Sequence, residues 1–376
     1  MDSWRFYNPV DVRFGEGCIQ HLPEMIAHSR MLLMTTAGAT QRGLTRTIQR
    51  LAGTSLAGVF DTIDPNPTFS MLRTVFDACR VFDYDLIVAV GGGSVIDTAK
   101  EVAAMAAAPD PGWLEQHLQQ GAGFPELFKP KPVIAIPTTA GTGSEVTMWA
   151  TVWDMDAKKK YSIAHEALFP RHALLDPELT LTLPLQQSLY AALDALSHAM
   201  EAVWNKNHNP VSDTLALGAV ALLNQYLPLL AHDGQNLNLR SNLMRASLMA
   251  GLAFSNTKTA LAHSLSYPLS IYFGLPHGLA CSLPLPHVLR FNGEKAYERI
   301  KLLAAPLASE PDAESMAACI EVLFDRIDIS FRLRDYAVDK SRMAAVAQAA
   351  ITPERAGNNI AAIDQTDVAR LVEALY

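Results

Sequence analysis

The feature that most constrains the fold is the apolar run LIVAV at 86–90, which leads directly into three glycines. Such a continuous apolar run is typical of a strand that is buried on both faces of a parallel sheet. Similar runs separated by helical patterns predict strands at 31–37, 55–63 and 132–141 and helices at 37–53 and 69–83. Alternating strands and helices predict parallel strands joined by crossover helices, and therefore an α/β layered domain.

The pattern changes after the first half of the chain. Segments 147–154 and 159–165 predict a β-hairpin, whereas nearly everything from about residue 185 has a helical period. The 376 residues exceed what one hydrophobic core usually accommodates. We therefore expect an α/β domain over 1–183, an all-helical domain over 184–376, and chemistry in a cleft between them.

Composition restricts the function classes. The net charge of −8 argues against broad binding to nucleic acid or to an anionic membrane surface. No signal peptide or membrane span is expected from the sequence. The four cysteines contain no C-x-x-C pair, so neither a redox dithiol nor a thiolate zinc site is indicated. Reduced thiols and a cytoplasmic location are the expectation.

The segment AALDALSHAMEA at 191–202 places Asp194 and His198 on one face of a helix. Further along, His263 and His277 lie in strongly apolar surroundings, and His277 is part of a Pro-His-Gly turn. One carboxylate and three imidazoles can hold a divalent transition metal and leave a coordination position open. The alternatives are a surface ion pair for the first two and satisfied core histidines for the others.

A candidate phosphate site follows the LIVAV strand. Gly91, Gly92 and Gly93 allow close approach of the backbone to a ligand, and a helix begins there. Ser94 and Asp97 have the spacing of a capping box, which predicts the start of that helix. The segment matches neither G-x-G-x-x-G nor the NTPase loop. A glycine-rich turn without a ligand is the alternative.

A second polar loop, PTTAGTGSE at 137–145, also follows an apolar strand. Its hydroxyl groups suit contacts with sugar or phosphate and belong to Thr138, Thr139, Thr142 and Ser144. Two such loops at the carboxyl ends of parallel strands predict a nucleotide-binding crevice.

In order along the chain, these motifs resemble those of the iron-containing (group III) alcohol dehydrogenases. They are GGGSVIDTAK at 91–100, PTTAGTGSEVT at 137–147, DALSHAMEA at 194–202, and the pair His263 and His277. The resemblance covers nearly the whole chain. It implies a dinucleotide-binding domain with a parallel sheet and an all-α metal domain, the architecture that dehydroquinate synthase shares.

The resemblance also implies cofactors and site residues. It implies Fe²⁺, or Zn²⁺ in some members, on Asp194, His198, His263 and His277. It implies NAD or NADP over the glycine-rich and threonine-rich loops, with Lys160 near the nicotinamide ribose. Phe254 corresponds to an aromatic residue at the substrate mouth, and Trp149 lines the same pocket or belongs to the core. A homodimer or a larger homo-oligomer is implied too.

Three positions depart from the family pattern. Tyr267 occupies a position where many members carry a histidine, and a phenol does not take up a proton near pH 7 as an imidazole can. Thr36 stands where members that prefer NAD often have Asp, so NADP is accommodated. Lys258, four residues after Phe254, either points into the substrate pocket or is solvated.

The predicted activity is hydride transfer between a nicotinamide and a small primary alcohol or aldehyde. An inward Lys258 favours an aldehyde with an anionic group, as in the similar phosphonoacetaldehyde reductases, which form hydroxyethylphosphonate. Two alternatives remain at this point. One is a lyase of the dehydroquinate synthase type that uses NAD and a metal, and the other is a non-catalytic nucleotide-binding protein with the same fold.

Overall fold

The computed structural model describes residues 3–351 and 353–376 and divides into two compact units. The first unit comprises Asn8–Thr139 and Ser144–Thr182. The second comprises Leu183–Tyr376 together with Ala140–Gly143 and the segment that ends at Tyr7. The predicted boundary after residue 183 therefore falls next to the observed one. A single boundary does not account for two short segments, Ala140–Gly143 and the one that ends at Tyr7, which belong to the helical unit.

The first unit is built on a six-stranded parallel sheet in the order β1-β8-β5-β4-β2-β3. Its strands are β1 Asp11–Phe14, β2 Met31–Met34, β3 Leu56–Phe60, β4 Leu86–Gly91, β5 Val133–Pro137 and β8 His172–Leu175. An antiparallel hairpin is formed by β6 Trp149–Asp154 and β7 Lys159–Ala164. The helices are α1 Leu22–Ile26, α2 Ala37–Gln41, α3 Leu44–Ala52, α4 Phe69–Cys79, α5 Gly93–Ala106 and α6 Trp113–Gln120.

The predicted parallel α/β domain and the hairpin are confirmed, with three differences. Strand β1 was not predicted because its sequence DVRF contains no continuous apolar run, and β8 was not predicted because its apolar run ALL is only three residues long. The helix predicted over 37–53 is two helices, separated at Gly43, which has a φ of 85°. The predicted capping box is wrong, because the N-cap of α5 is Gly92 and Ser94 and Asp97 lie inside the helix.

The second unit is all-helical, as predicted. Its helices are α7 Leu185–Val203, α8 Pro210–His232, α9 Leu237–Thr257, α10 Leu261–Phe273, α11 His277–Ser282, α12 Leu285–Lys295, α13 Tyr297–Ile300, α14 Ala304–Leu307, α15 Ala313–Arg326, α16 Met343–Ala349, α17 Pro353–Ala356 and α18 Gln365–Ala374. Helix α7 packs against α8, α9 and α11, and every residue from Ala192 to Val203 is buried. A helix buried on all sides must satisfy every polar group inside the protein.

Helix α8 is long and apolar enough to cross a membrane by those two criteria, with a mean hydropathy of 1.5. Core helices of globular proteins meet the same criteria, and α8 packs against α7 and α9. The expected absence of a membrane span stays a prediction.

Helix α5 buries two ionisable residues next to each other. The Lys100 ammonium donates to the backbone oxygens of Ser144, Thr147 and Trp149 at 2.6, 2.9 and 3.0 Å, which ties down the chain that leads into β6. The next residue, Glu101, is fully buried, and neither carboxyl oxygen has a hydrogen-bond partner within 3–351 and 353–376. Burial raises the pKa of Glu101 well above its usual value, which favours the neutral acid.

We expect Glu101→Met to raise the free energy of unfolding by about 1–3 kcal/mol, because it removes buried polar atoms that lack partners. The unfolded chain releases the Glu101 proton near pH 4.5, whereas the folded chain retains it to higher pH. The stability of the parent protein therefore falls as pH rises above this value, and the gain from E101M should grow. Denaturation measured at several pH values, with exposed Glu126→Met as control, tests this. A variant less stable than the parent at every pH would contradict it.

Candidate functional site

The polar side chains of α7 form one stripe on an otherwise apolar, buried helix. Asp194, His198 and Glu201 are spaced four and three residues apart, so they share a face. Each is at most 4% exposed. Burial of ionisable groups is costly unless they are paired or coordinate a metal. The stripe therefore requires partners from other elements, and α10 and α11 supply them.

Helix α10 contributes His263, which Glu201 orients. The Glu201 carboxylate accepts from the backbone N–H of Ala260 at 2.7 Å and of His263 at 3.0 Å. It also lies 2.7 Å from His263 Nδ1. Because this nitrogen must carry a proton to donate to the carboxylate, Nε2 is left to face Asp194. A carboxylate that fixes the tautomer of an imidazole in this way is typical of metal-ligating histidines.

Three imidazoles surround one carboxylate oxygen. Asp194 Oδ1 lies 3.6 Å from His263 Nε2, 3.9 Å from His198 Nε2 and 4.0 Å from His277 Nε2. These distances are too long for hydrogen bonds. In the described part of the chain, both Asp194 Oδ1 and His263 Nε2 are buried without a hydrogen-bond partner. Two unpartnered acceptors aimed at one another fit a cation between them, so the residues present suit a divalent metal.

The orientation of His198 points to the same conclusion. Its ring stacks on Phe254 with centroids 4.0 Å apart, and on His263 at 4.6 Å. Its Nδ1 lies 3.3 Å from the carbonyl oxygen of Gly141, an acceptor, and so must carry the proton. Burial lowers the pKa of His198 to about 4, so the ring is neutral at physiological pH. Its Nε2 lone pair therefore faces the Asp194 oxygen.

The pKa values of Asp194 and His263 are both shifted, in the directions expected for a site that attracts positive charge. Burial alone would raise the pKa of Asp194, but His198, His263 and His277 outweigh it and hold that pKa well below its usual value. Burial alone would lower the pKa of His263, but Cys281, Glu201 and Asp194 outweigh it and raise that pKa. A divalent cation satisfies both groups at once.

Close backbone contacts bring these side chains together. A Cβ atom on Gly278 would lie 2.0 Å from the Tyr190 carbonyl oxygen and 3.1 Å from Asp194 Cβ. A Cβ atom on Gly141 would lie 2.4 Å from the Ala191 carbonyl oxygen. Only glycine at these positions lets α11 and the Ala140–Gly143 segment approach α7 so closely. The glycine of the Pro-His-Gly turn is therefore a packing requirement of the site.

Cys281 is an unexpected member of the group. One donor atom from each of Asp194, His263, His277 and Cys281 lies within 4.8 Å of all the others. No thiolate was expected at a metal site, because the sequence contains no C-x-x-C pair. The available signal was the spacing of four residues between His277 and Cys281, which puts both on one face of α11.

In the sheet unit, the two predicted nucleotide loops are neighbours. Gly91 and Pro137 pair at the carboxyl ends of β4 and β5, and the Thr138 N–H donates to the Gly91 oxygen at 3.0 Å. A Cβ atom on Gly92 would contact Thr139 at 3.3 Å. The geometry matches the predicted crevice, with a helix N-terminus at Gly93 that favours phosphate.

Asp97 and Ser144 were expected to contact the cofactor, but their observed hydrogen bonds are to other parts of the protein. Asp97 is half-buried and accepts from the hydroxyl of Ser144 at 2.5 Å and from the Thr151 N–H at 3.1 Å. Ser144 is also bound by Lys100. Both residues thus join the hairpin to α5 from the interior. Their direct contact with a cofactor stays a prediction, and their observed bonds are structural.

The remaining predicted cofactor residues lie at different points of the fold. Thr36 is the N-cap of α2, where its hydroxyl accepts from the Ala39 N–H at 3.2 Å. Lys160 lies on the hairpin with its ammonium 4.9 Å from the ring centre of Trp153. Trp149 begins β6 and is half-buried. Thr142 belongs to the Ala140–Gly143 segment, which packs with the helices.

On the substrate side, Phe254 stacks on His198, and its place at the substrate mouth stays a prediction. Tyr267 is 7% exposed and lies parallel to His277, with ring centroids 6.3 Å apart. The prediction that Lys258 shares a helix face with Phe254 is wrong, because α9 ends at Thr257 and Lys258 has a φ of 69°. It therefore leaves the helix face that Phe254 occupies, and it is exposed.

Comparison with known proteins agrees with this geometry. Residues 9–177 match the profile described as iron-containing alcohol dehydrogenase. Residues 188–376 match that of the Fe-containing alcohol dehydrogenase family, C-terminal. The chain belongs to the iron-containing alcohol dehydrogenase family. Its members' metal site corresponds to Asp194, His263 and His277, and the enzyme is a metal-dependent, NAD(P)-linked dehydrogenase of alcohols and aldehydes.

Individual relatives span the whole chain. The 1,3-propanediol dehydrogenase of Klebsiella pneumoniae is 32% identical, covering 99% of this chain and 96% of that protein. The NADPH-dependent butanol dehydrogenase of Clostridium saccharobutylicum is 27% identical, covering 99% and 98%. The crystal structure of sulfoacetaldehyde reductase from Bifidobacterium kashiwanohense with NAD+ superimposes with a TM-score of 0.92, at 30% identity and coverage of 100% and 99%.

Membership in this family confirms the predicted enzyme class and sets aside the lyase and the non-catalytic alternatives. His198 as a fourth ligand stays a prediction. Sequence reasoning missed Glu201, although it lies seven residues after Asp194 and therefore on the same helix face.

We expect Glu201→Gln to weaken metal binding about 10–100-fold, because an amide replaces the charged acceptor that orients His263. His263→Ala should remove most bound metal and nearly all turnover. Metal content and chelator competition on purified protein measure both effects. Glu294→Gln, at an exposed position of α12 in the same unit, is the control and should retain the metal. Unchanged affinity in E201Q would contradict the orienting role.

Proposed function

We propose that this dehydrogenase interconverts a short aldehyde and its alcohol, where the far end of the substrate carries a phosphonate or sulfonate. Phosphonoacetaldehyde, the substrate favoured from the sequence, is one such compound. The observation that carries the proposal is the position of Arg355. Its guanidinium lies 4.6 Å from the ring centre of Tyr267, and that ring lies parallel to His277.

The stack gives a permanent cation a defined place near the metal group. Arg355 belongs to α17, which packs against α10, the helix that carries His263 and Tyr267. A guanidinium is always charged and binds tetrahedral oxyanions through two parallel hydrogen bonds. An aromatic ring beneath it holds its plane in place. Lys258 was predicted from the sequence to bind the anion, and Arg355 takes that role instead.

The similarity to the sulfoacetaldehyde reductase supports this substrate class, since that protein's name specifies an aldehyde with a sulfonate. Relatives named for butanol and 1,3-propanediol act on uncharged compounds. These substrates differ at the end away from the reacting carbon. In the proposal, the protein side chain that meets this end, rather than the metal group, therefore distinguishes them.

In this proposal, the residues of the chain bind and orient the substrate. A bound divalent metal supplies Lewis acidity at the carbonyl oxygen, and the nicotinamide supplies the hydride. Asp194 and His263 hold the site, and Phe254 covers His198 so that the imidazole stays buried. His277 is the more open member, with 27% of its side chain exposed. Tyr267 lies parallel to His277, and Arg355 lies near the Tyr267 ring. Together these two residues fix the anionic end of the substrate.

Replacement of Arg355 by Met should raise KM for phosphonoacetaldehyde or sulfoacetaldehyde about 10–100-fold, equivalent to one lost charged hydrogen bond of about 1.5–3 kcal/mol. KM for propanal, which lacks the charge, should remain within about twofold. The matched control is Lys258→Met, which should have little effect on either substrate. If K258M shows the selective loss instead, or if R355M affects both aldehydes equally, the assignment is wrong.

We further propose that NADPH is preferred to NADH. Thr36 lies two residues after the end of β2 and lacks the carboxylate that binds the ribose 2′-hydroxyl and repels a 2′-phosphate. Arg42, at the end of α2, extends over Gly38, with Nη1 3.0 Å from where a Cβ atom would lie. A nearby arginine accommodates a 2′-phosphate.

The Thr36→Asp variant should shift the ratio of kcat/KM for NADPH over NADH by at least about tenfold towards NADH, because the added carboxylate repels the phosphate. Asp remains a good N-cap, so α2 should be retained. Thr36→Asn, which also caps a helix but is neutral, is the control and should leave the ratio nearly unchanged. A parent enzyme that already favours NADH would contradict the proposal. A homodimer or larger oligomer and a cytoplasmic location remain predictions.

A further inference from the structure

Cys281 has a position that neither the catalytic proposal nor the family pattern explains. It is fully buried in α11, one helical turn after His277. Its sulfur lies 3.5 Å from His277 Nδ1 and 3.6 Å from Nε2. The other three cysteines are also free thiols, but none belongs to the metal-ligating group in the part of the chain that the structure describes.

The distances allow all four side chains to bind one ion. Bonds from zinc to nitrogen, oxygen and sulfur are about 2.0–2.3 Å, so two ligands of one ion are at most about 4.6 Å apart. The donor atoms of Asp194, His263, His277 and Cys281 all lie within 4.8 Å of one another. Small side-chain adjustments are therefore enough to close the group around a cation.

The need for a cation at this point is independent of the cysteine. Asp194 Oδ1 and His263 Nε2 are both buried without hydrogen-bond partners among the described residues, and they belong to the same group. Gly278 holds α11 against α7, so the sulfur is fixed on the side that Asp194 occupies. The thiol is thus placed by the same packing that places His277.

We propose that Cys281 is a metal ligand in this chain, which gives the centre a mixed oxygen, nitrogen and sulfur donor set. Coordination replaces the S–H bond by a metal–sulfur bond and releases one proton to solvent. Thiolates select Zn²⁺ and related soft ions, whereas oxygen-rich sets suit Mn²⁺. The centre should therefore favour Zn²⁺ over Fe²⁺ and Mn²⁺ more strongly than a site without sulfur. The proposal does not depend on the substrate proposed above.

The first experiment needs no variant. Metal-free full-length protein is loaded with Co²⁺ and its absorption spectrum is recorded. A cobalt–thiolate bond gives an intense near-ultraviolet charge-transfer band, and we expect this band. A Co²⁺ complex without the band would overturn the ligand role of Cys281 and leave the metal centre intact. Failure to bind Co²⁺ at all would overturn both.

The second experiment tests selectivity with Cys281→Ser, which keeps the size of the side chain but replaces sulfur. The charge-transfer band should disappear, and the preference for Zn²⁺ over Mn²⁺ in competitive loading should fall about tenfold or more. Cys281→Ala is a second variant if the serine protein does not fold. Cys79→Ser, at a fully buried thiol of α4, is the control and should retain both the band and the preference. An unchanged preference in C281S would contradict the proposal.

Discussion

The helical unit depends on the electrostatics of one buried oxygen. Asp194 Oδ1 faces imidazole nitrogens at 3.6, 3.9 and 4.0 Å, and two of the imidazoles have their other nitrogen committed to an acceptor, Glu201 or the Gly141 carbonyl. The lone pairs therefore converge. A buried charge that lacks a counter-charge strongly destabilises a folded protein. A cation in the centre satisfies these groups together, so metal binding and packing of this unit are linked.

Packing explains why these groups cannot rearrange to avoid each other. Helix α7 is buried on all sides, so its polar stripe cannot turn to solvent. Gly278 and Gly141 bring backbone carbonyls of α7 into direct contact with α11 and with the 140–143 segment. Gly143, with a φ of 60°, lies against Gly251, where a Cβ atom would be 2.6 Å from the Gly251 Cα. Backbone-to-backbone contacts of this kind cannot relax by a change of rotamer, which keeps the donor atoms within bonding range of one ion.

Much of this could be predicted from sequence, because the relevant signals are local. The LIVAV strand, the glycine loops and the Asp194–His198 spacing follow from periodicity and turn chemistry, and the family motifs supplied the rest of the metal group. The wrong or missing predictions concern residues whose positions depend on tertiary structure. Lys258 was assigned to a helix face, but the helix ends one residue earlier. Asp97 was treated as part of a capping box, but α5 begins at Gly93 without a side-chain cap, and the Asp97 carboxylate binds Ser144 and Thr151 instead. Arg355 lies 88 positions from Tyr267 along the chain, and no local pattern connects them.

Tyr267 stands where the family resemblance implies a histidine in many members, and in the proposed function this difference matters for the electrostatics next to the metal group. A second imidazole there would add another group that can carry charge beside His277, with a protonation state that varies near neutral pH. A tyrosine ring instead lies parallel to His277, and the Arg355 guanidinium lies 4.6 Å from the centre of that ring. A cation over that face is attracted by the ring quadrupole. The substitution therefore replaces a variable charge by a fixed one. In the proposed function, a fixed guanidinium discriminates substrates by the charge at their far end, because it attracts an oxyanion more strongly than an uncharged group.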